Sequence, residues 1–425
     1  MALEYKRRII DDELDELLSS LSAVAIEGPK AVGKTATALK RARTVHRLDD
    51  QAVASLAEAD PARLVTGSPP ILIDEWQRVP SVWDAVRRAV DEDPTPNQFL
   101  ITGSATPTSL PMHSGAGRIV RLRLRPLSLA ERDIQSPSVS LRRLMAGEAP
   151  QIRGRTDIGL SQYAEEIVAS GFPGIRLLPA RARRAQLDSY LARIVDRDFE
   201  ELGQSIRRPE TLRRWMAAYA AATSTTASLE TIRDAATGGE RDKPARTTVV
   251  SYRDTLQKLW VLDPVPGWIP SRNYFSRLAY PDKHHLADPA LATSLLGIRV
   301  EALLEGREGT VPLPRDGTLL GHLFESLVTL SVRAYAQAAE AEVKHLRTKG
   351  GRHEVDLILE RADGRVLALE VKLGRDVTDG DLRHLHWLKE KMGRDLLDAI
   401  VVTTGPNAYR REDGIAVVPA SLLGP

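Results

Sequence analysis

Cysteine is missing from all 425 residues, which rules out disulfides and thiolate metal ligands and suits a reducing compartment. Nowhere does an apolar run approach the roughly eighteen residues of a bilayer-spanning helix, so no membrane partner is expected. The opening MALEYKRRIIDDELDELL is charged throughout, with no apolar stretch or small-residue cleavage site, and does not read as a secretory leader. Net charge is scarce too: 59 Lys and Arg against 57 Asp and Glu leave only +2, so total charge alone predicts no polyanionic partner. Internal repeats, low-complexity tracts, a GxGxxG dinucleotide fingerprint and the protein-kinase motifs are all absent. These absences point to a cytoplasmic globular protein.

What is present is an ordinary globular balance, 42% hydrophobic and 27% charged, in a chain too long for one compact core. Four regions separate by pattern. Residues 1–133 alternate short apolar strands with amphipathic stretches, the mark of a parallel α/β sheet. Residues 134–210 begin with a Ser-, Pro- and Gly-rich linker to about 160 and continue as helix. Residues 211–300 hold three helical stretches and a short strand, a winged-helix-like pattern. Residues 301–425 open with a helix and then show strands, a second α/β unit. The positive charge is mostly arginine, clustered at Arg118, Arg121, Arg123 and Arg125 and again from Arg181 to Arg214. Such clusters make either basic faces or helix faces paired with carboxylates.

GPKAVGKT, Gly28 to Thr35, has the P-loop spacing and lies between an apolar strand and a helix start. Gly28, Pro29, Lys30, Ala31, Val32, Gly33, Lys34, Thr35 and Ala36 are expected to wrap phosphate with backbone N–H groups at a helix N-terminus. Lys34 is expected to reach the β- and γ-phosphates, and Thr35 to bind magnesium. ILIDE, residues 71–75, ends a buried strand in two acids. Asp74 is the expected magnesium partner, and Glu75 the group that polarises the attacking water. In FLITGSA, Ser104 is the candidate γ-phosphate sensor. Arg118 is a candidate arginine finger, acting in cis or from a neighbouring subunit, the latter requiring a homo-oligomer. The cofactors so implied are ATP and Mg2+, with ADP as product.

A second acidic constellation lies near the end. EVD at 354–356 and EVK at 370–372 flank a tight turn, RADGR, so Asp356 is expected beside Glu370 with Lys372 on the same face. Glu325 on the preceding helix could add a third carboxylate. Acids that hold a divalent metal and a lysine that steadies water are what phosphodiester hydrolysis needs. This arrangement resembles the PD-(D/E)XK nuclease superfamily, a fold kept in some proteins for cleavage and in others for binding alone.

The order of motifs along nearly the whole chain resembles prokaryotic AAA-superfamily ATPases with a central domain of unknown function and a C-terminal nuclease-like module. The residues that carry it are GPKAVGKT, ILIDEWQRVP, FLITGSA, GAGR with RPLSLAE, ASGFPG, YLARIVDRDF, KLWVLDPVP, HLFESLV and HEVDLILE with ALEVKLG. The resemblance implies prokaryotic cytoplasm, ATP with magnesium, and a DNA or RNA partner. Denser arginines after GAGR, and the RGRTDIG segment, depart from the common pattern. Three functions fit: an ATP-dependent nucleic-acid-processing protein, a regulatory switch that uses the nuclease fold for docking, and an assembly factor or antitoxin-like binder.

Overall fold

A computed structural model of the chain describes residues 5–105, 116–148, 150–237, 243–271, 280–304 and 317–425. Five N-terminal strands, β1 (Ala23–Glu27), β2 (Thr44–Arg47), β3 (Ile71–Asp74), β4 (Phe99–Gly103) and β5 (Ile119–Arg123), form one parallel sheet in the order β2-β3-β4-β1-β5. β1, β3 and β4 are buried along their whole length, which is why they read as continuous apolar runs rather than as alternation. Successive side chains point to opposite faces. Ala23, Ala25, Ile71, Ile73, Phe99 and Ile101 pack with Trp76 and Trp83 on one face, whereas Val24, Ile26, Leu72 and Leu100 face the other way. That second face joins a core shared with the rest of the chain, including Leu323 and Leu327 of the helix Gly317–Ala338.

The central region is helical: Leu160–Ala169, Ala180–Arg193, a π-helical turn Ile194–Asp198, and then Pro209–Ala221, Leu229–Thr237 and Arg246–Lys258. After the last of these, Leu262 bridges Leu286 and Val265 bridges Lys283, both antiparallel. The C-terminal sheet is eight-stranded and mixed. Its strands are β7 (Gly154–Arg155), β8 (Gly267–Trp268), β9 (Glu342–Arg347), β10 (Glu354–Glu360), β11 (Val366–Val371), β12 (Leu396–Thr403), β13 (Asn407–Arg410) and β14 (Ala416–Pro419). They lie in the order β7-β13-β14-β12-β11-β10-β9-β8. β6 (Val139–Ser140) pairs with β15 (Leu423–Gly424).

The expected linker is corrected by this topology. Residues 139–155 contribute β6 and β7 to partners in the last twenty residues of the chain, and strands of two residues have no periodicity to betray them. Among the described residues no helix is long and apolar enough to cross a membrane.

The arginine cluster after GAGR is also resolved. Arg118 pairs with Asp91 at 2.7 Å, and Arg121 lies 3.5 Å from Glu27. Arg123 and Arg125 reach inward to Asp263, each at 3.0 Å, where Arg333 joins them at 2.9 Å. Arg123 also lies over the Trp260 ring, 4.6 Å from its centroid. Each arginine of the segment therefore has a carboxylate partner, Arg118 and Arg121 at a half-exposed surface and Arg123 and Arg125 inside. Burial opposes ionisation of Asp263, but the three guanidinium groups outweigh it and hold the carboxyl well below the usual carboxylate range. Asp263→Ala would leave three neighbouring cations without their shared anion. It is expected to cost on the order of 3–5 kcal/mol, read from the shift of the denaturant unfolding midpoint. A change under about 1 kcal/mol would show that the cluster does not hold the units together.

Candidate functional site

All five strands of the N-terminal sheet run the same way, so Glu27, Asp74 and Gly103 end at one edge. The loop that follows β1 crosses this edge. Gly33 sits at φ +106°, in the left-handed region, and a Cβ on Gly28 would stand 2.2 Å from the carbonyl oxygen of Leu124. Ala31 takes the left-handed conformation as well, at φ +65°. Lys34 opens the next helix, Lys34–Leu39, and is 4% exposed. Its Nζ donates to the carbonyls of Gly28 and Pro29 at 2.9 and 2.8 Å. No ion pair to a carboxylate is made by Lys34 among the described residues, and burial pulls its ammonium down to about 8 despite Glu75 and Asp74. A buried ammonium resting on carbonyls is suited to a phosphate.

Beside it, Thr35 Oγ1 donates to Asp74 Oδ1 at 2.8 Å, and Thr102 Oγ1 donates to the same oxygen. Burial raises the Asp74 carboxyl, and these two hydroxyls partly offset the rise. A hydroxyl and a carboxylate facing each other here are the donor set a magnesium ion takes next to phosphates. Glu75 is held at φ +58°, a conformation rare outside glycine, which turns its side chain away from the path of β3. Its Oε2 accepts from Ser104 Oγ at 2.8 Å and from Gln77 Nε2, which also lies 3.1 Å from Ser104 Oγ. Glu75, Gln77 and Ser104 line a cleft of about 1000 Å³ with Lys30, Arg193 and Asp198.

Two of these groups escaped the sequence reading. Gln77, inside ILIDEWQRVP, ties Glu75 to Ser104, and only its place two residues beyond the acids hints at the role. Asp198, in YLARIVDRDF, accepts from Lys30 Nζ at 2.7 Å, and Glu201 lies 3.1 Å from the same nitrogen. Lys30 thus faces the central helices. Arg8 is a third omission: its Nη1 donates to Val32 O at 3.1 Å and its Nε to Glu131 at 2.8 Å, bracing the loop against RPLSLAE.

Arg118 is placed where the cis proposal fails. Ile119 pairs with Ala23 at the start of β1, while the phosphate loop follows Glu27 at its other end. The parallel register puts Arg118 at the opposite edge of the sheet, which confines the arginine-finger expectation to action in trans.

Residues 21–132 match a family model described as an AAA domain. The N-terminal unit is an AAA-type P-loop domain. Residues 160–302 and 320–423 match two models described as domains of unknown function, DUF8612 and DUF4143. Uncharacterized proteins of Mycobacterium tuberculosis and Mycobacterium bovis are each 26% identical over 426 residues, spanning 98% of this chain and 84% of theirs. Among solved structures, the Walker-type ATPase of Pyrococcus abyssi is 15% identical with TM-score 0.36, covering 67% of this chain and 94% of its own. The Aeropyrum pernix ORC2 protein is 14% identical with TM-score 0.27, covering 69% of this chain and 94% of that one.

The C-terminal acids do meet. β10 and β11 are antiparallel with Leu357 opposite Leu369, so one further step sets Asp356 against Glu370. Glu370 Oε1 accepts from Lys372 Nζ at 2.8 Å, and Asp356 Oδ2 from the Val371 N–H at 2.9 Å. Glu325 reaches the same place from its helix. Burial, reinforced by Asp356, pushes both Glu325 and Glu370 up to about 8. The expected metal set of Glu325, Asp356 and Glu370 is nevertheless corrected. Among the described residues no group of three carboxylates or histidines is arranged to hold a metal ion. Lys283 stands between Glu325 and Asp356 instead, at 2.9 and 3.0 Å.

For the AAA domain, the geometry generates one direct test. Gln77→Ala should leave ATP affinity near wild type and lower steady-state turnover roughly ten- to hundredfold, since it frees Glu75 from its orienting bond. Turnover within twofold of wild type would remove Gln77 from the site.

Proposed function

We propose that the chain is a magnesium-dependent ATPase whose nucleotide state sets the position of the central helices and, through them, its hold on nucleic acid. One observation carries the ATPase reading. A buried lysine resting on its loop carbonyls, a hydroxyl–carboxylate pair and a second, oriented carboxylate converge at one edge of a parallel sheet. In this reading Gly28 to Ala36 wrap the phosphates with backbone N–H groups, and Lys34 leaves its loop carbonyls for the β- and γ-phosphates. Thr35 and Asp74 hold the magnesium. Glu75 accepts the proton of the attacking water, which Ser104 and Gln77 help to place. Bound magnesium ATP supplies the transferable phosphoryl group and the cation that offsets its charge.

Glu75→Gln keeps the shape of the side chain and removes its basicity. It is expected to bind ATP as wild type does and to turn it over at least about a hundredfold more slowly, whereas Lys34→Ala loses binding as well. Loss of ATP binding in Glu75→Gln would make Glu75 a structural or metal-holding residue and sink the assignment.

A nucleic-acid partner is supported by a second cleft, of about 620 Å³, lined by Arg207, Arg208, Lys243, Thr247, Thr248 and Ser251. Its cations and hydroxyls suit a phosphate backbone. Three helices followed by two antiparallel bridges also suit a winged-helix-like unit. The Lys30–Asp198 pair is the route by which phosphate in the loop would be felt there, since a γ-phosphate competes with Asp198 for the ammonium. The full chain should therefore retard labelled DNA or RNA with an affinity that changes on adding ATP. Lys30→Ala should still bind ATP but lose that dependence. Retardation indifferent to ATP in both proteins would defeat the coupling.

Of the alternatives for the C-terminal unit, metal-dependent cleavage by Asp356, Glu370 and Lys372 or a docking surface alone, docking is favoured by the lysine among the acids.

A further inference from the structure

The C-terminal unit holds a polar cleft of about 610 Å³ whose wall includes Glu325, Glu354, Asp356, Glu370 and Lys372. Three of these carboxylates approach a single point from two elements: Glu325 from the helix Gly317–Ala338, and Glu354 and Asp356 from β10. Lys283 Nζ occupies it, 2.9 Å from Glu325 Oε1, 3.0 Å from Asp356 Oδ1 and 3.6 Å from Glu354 Oε1. The lysine is 1% exposed and comes from outside the C-terminal unit. Paired backbone hydrogen bonds fix its stem: Lys283 N–H donates to Val265 O at 2.8 Å, and Val265 N–H donates to Lys283 O at 2.9 Å.

Acidic side chains crowd in this way only around a cation, because each buried carboxylate disfavours the next. An ammonium meets that need with one charge and three donors; a divalent ion would meet it with two charges and oxygen ligands at about 2.0–2.6 Å. A second feature points to a vacated ligand role. Glu370 is 5% exposed on the wall of the same cleft, and while its Oε1 takes Lys372, its Oε2 is buried with no hydrogen-bond partner among the described residues. A carboxylate oxygen left in this way suits a metal that the lysine keeps out.

We propose that Lys283 is a built-in counter-cation that stands where a divalent cation would otherwise bind among Glu325, Glu354 and Asp356, beside the open oxygen of Glu370, and so keeps the C-terminal cleft metal-free. The consequence for chemistry is direct. With an ammonium in that position no metal activates water there, so the cleft lacks the means to cut a phosphodiester through a bound metal. Neither ATP hydrolysis nor the nucleic-acid reading enters this inference, which stands on the side chains of the cleft alone.

The test uses the full chain, free of nucleotide, and Mn2+ as probe, with free Mn2+ followed by its room-temperature paramagnetic resonance signal. Wild type should show no site that Asp356→Asn removes. Lys283→Ala should gain one Mn2+ site at least tenfold tighter than any in wild type, and the double variant Lys283→Ala with Asp356→Asn should lose it. Lys283→Arg, which keeps a cation in place, should remain metal-free. A wild-type Mn2+ site abolished by Asp356→Asn overturns the proposal, as does a folded Lys283→Ala that takes no Mn2+. Should Lys283→Ala not fold in chelator, folding restored by Mn2+ supports the proposal, and failure to fold in both conditions overturns it.

Discussion

One carboxylate holds the three parts of this chain in a single arrangement. Asp263 lies between the end of the AAA sheet, which sends in Arg123 and Arg125, and the long C-terminal helix, which sends in Arg333. Arg333 also donates to the backbone carbonyls of Asp263 and Pro264, and Arg125 to Gln337. Hydrophobic contact between the units is broad but undirected, since apolar area fixes no unique orientation. The ionic cluster is directed. Its geometry is satisfied only when strand, turn and helix meet in one register, and desolvation makes any other register costly. One face of the AAA sheet is covered on these terms and the other by Trp76 and Trp83 of its own unit, so β1, β3 and β4 can be buried along their whole length.

The sequence made the nucleotide site legible because its parts are contiguous. A P-loop is a loop between a strand and a helix, and both neighbours are visible as local patterns; ILIDE and FLITGSA are likewise short strands ending in polar residues. The hairpin that brings Asp356 to Glu370 was legible for the same reason, with RADGR marking its turn. What stayed hidden depends on contacts far apart in the chain. Arg8 braces a loop more than twenty residues away, Lys30 meets Asp198, and Lys283 enters a site built from residues 325 to 372. No spacing encodes such pairs. The alternating arginines Arg121, Arg123 and Arg125 show the limit from the other side. On a strand, alternation places them on a common face, but it leaves open whether that face meets water or, as Arg123 and Arg125 do, a buried acid.

The central region therefore touches both chemical sites through charge. At one end Asp198, in a π-helical turn, takes the lysine of the phosphate loop. At the other, the strand pair that carries Lys283 begins at Asp263, whose N–H donates to His285 O. π-helical turns are strained relative to α-helix and recur where a side chain must be presented at an exact spacing. Here the turn aims Asp198 at Lys30 and keeps the apolar Ile194 and Val195 in the core.

Two ionic ends on one packed body have a mechanical consequence. Interiors are close-packed, so a force on Asp198 cannot be absorbed by local compression and is taken up instead by rotation of the helices or by loss of the pair. A phosphate that drew Lys30 away would change the load at one end. The answering movement at the other end would be resisted by the Asp263 cluster, whose arginines anchor the turn to the very sheet that binds nucleotide. The Val265–Lys283 bridge follows directly on that anchor, next to the Pro264 carbonyl that Arg333 holds. Any displacement that passed the cluster would reach the Val265–Lys283 pair next, and the acids around Lys283 would be the first groups to register it.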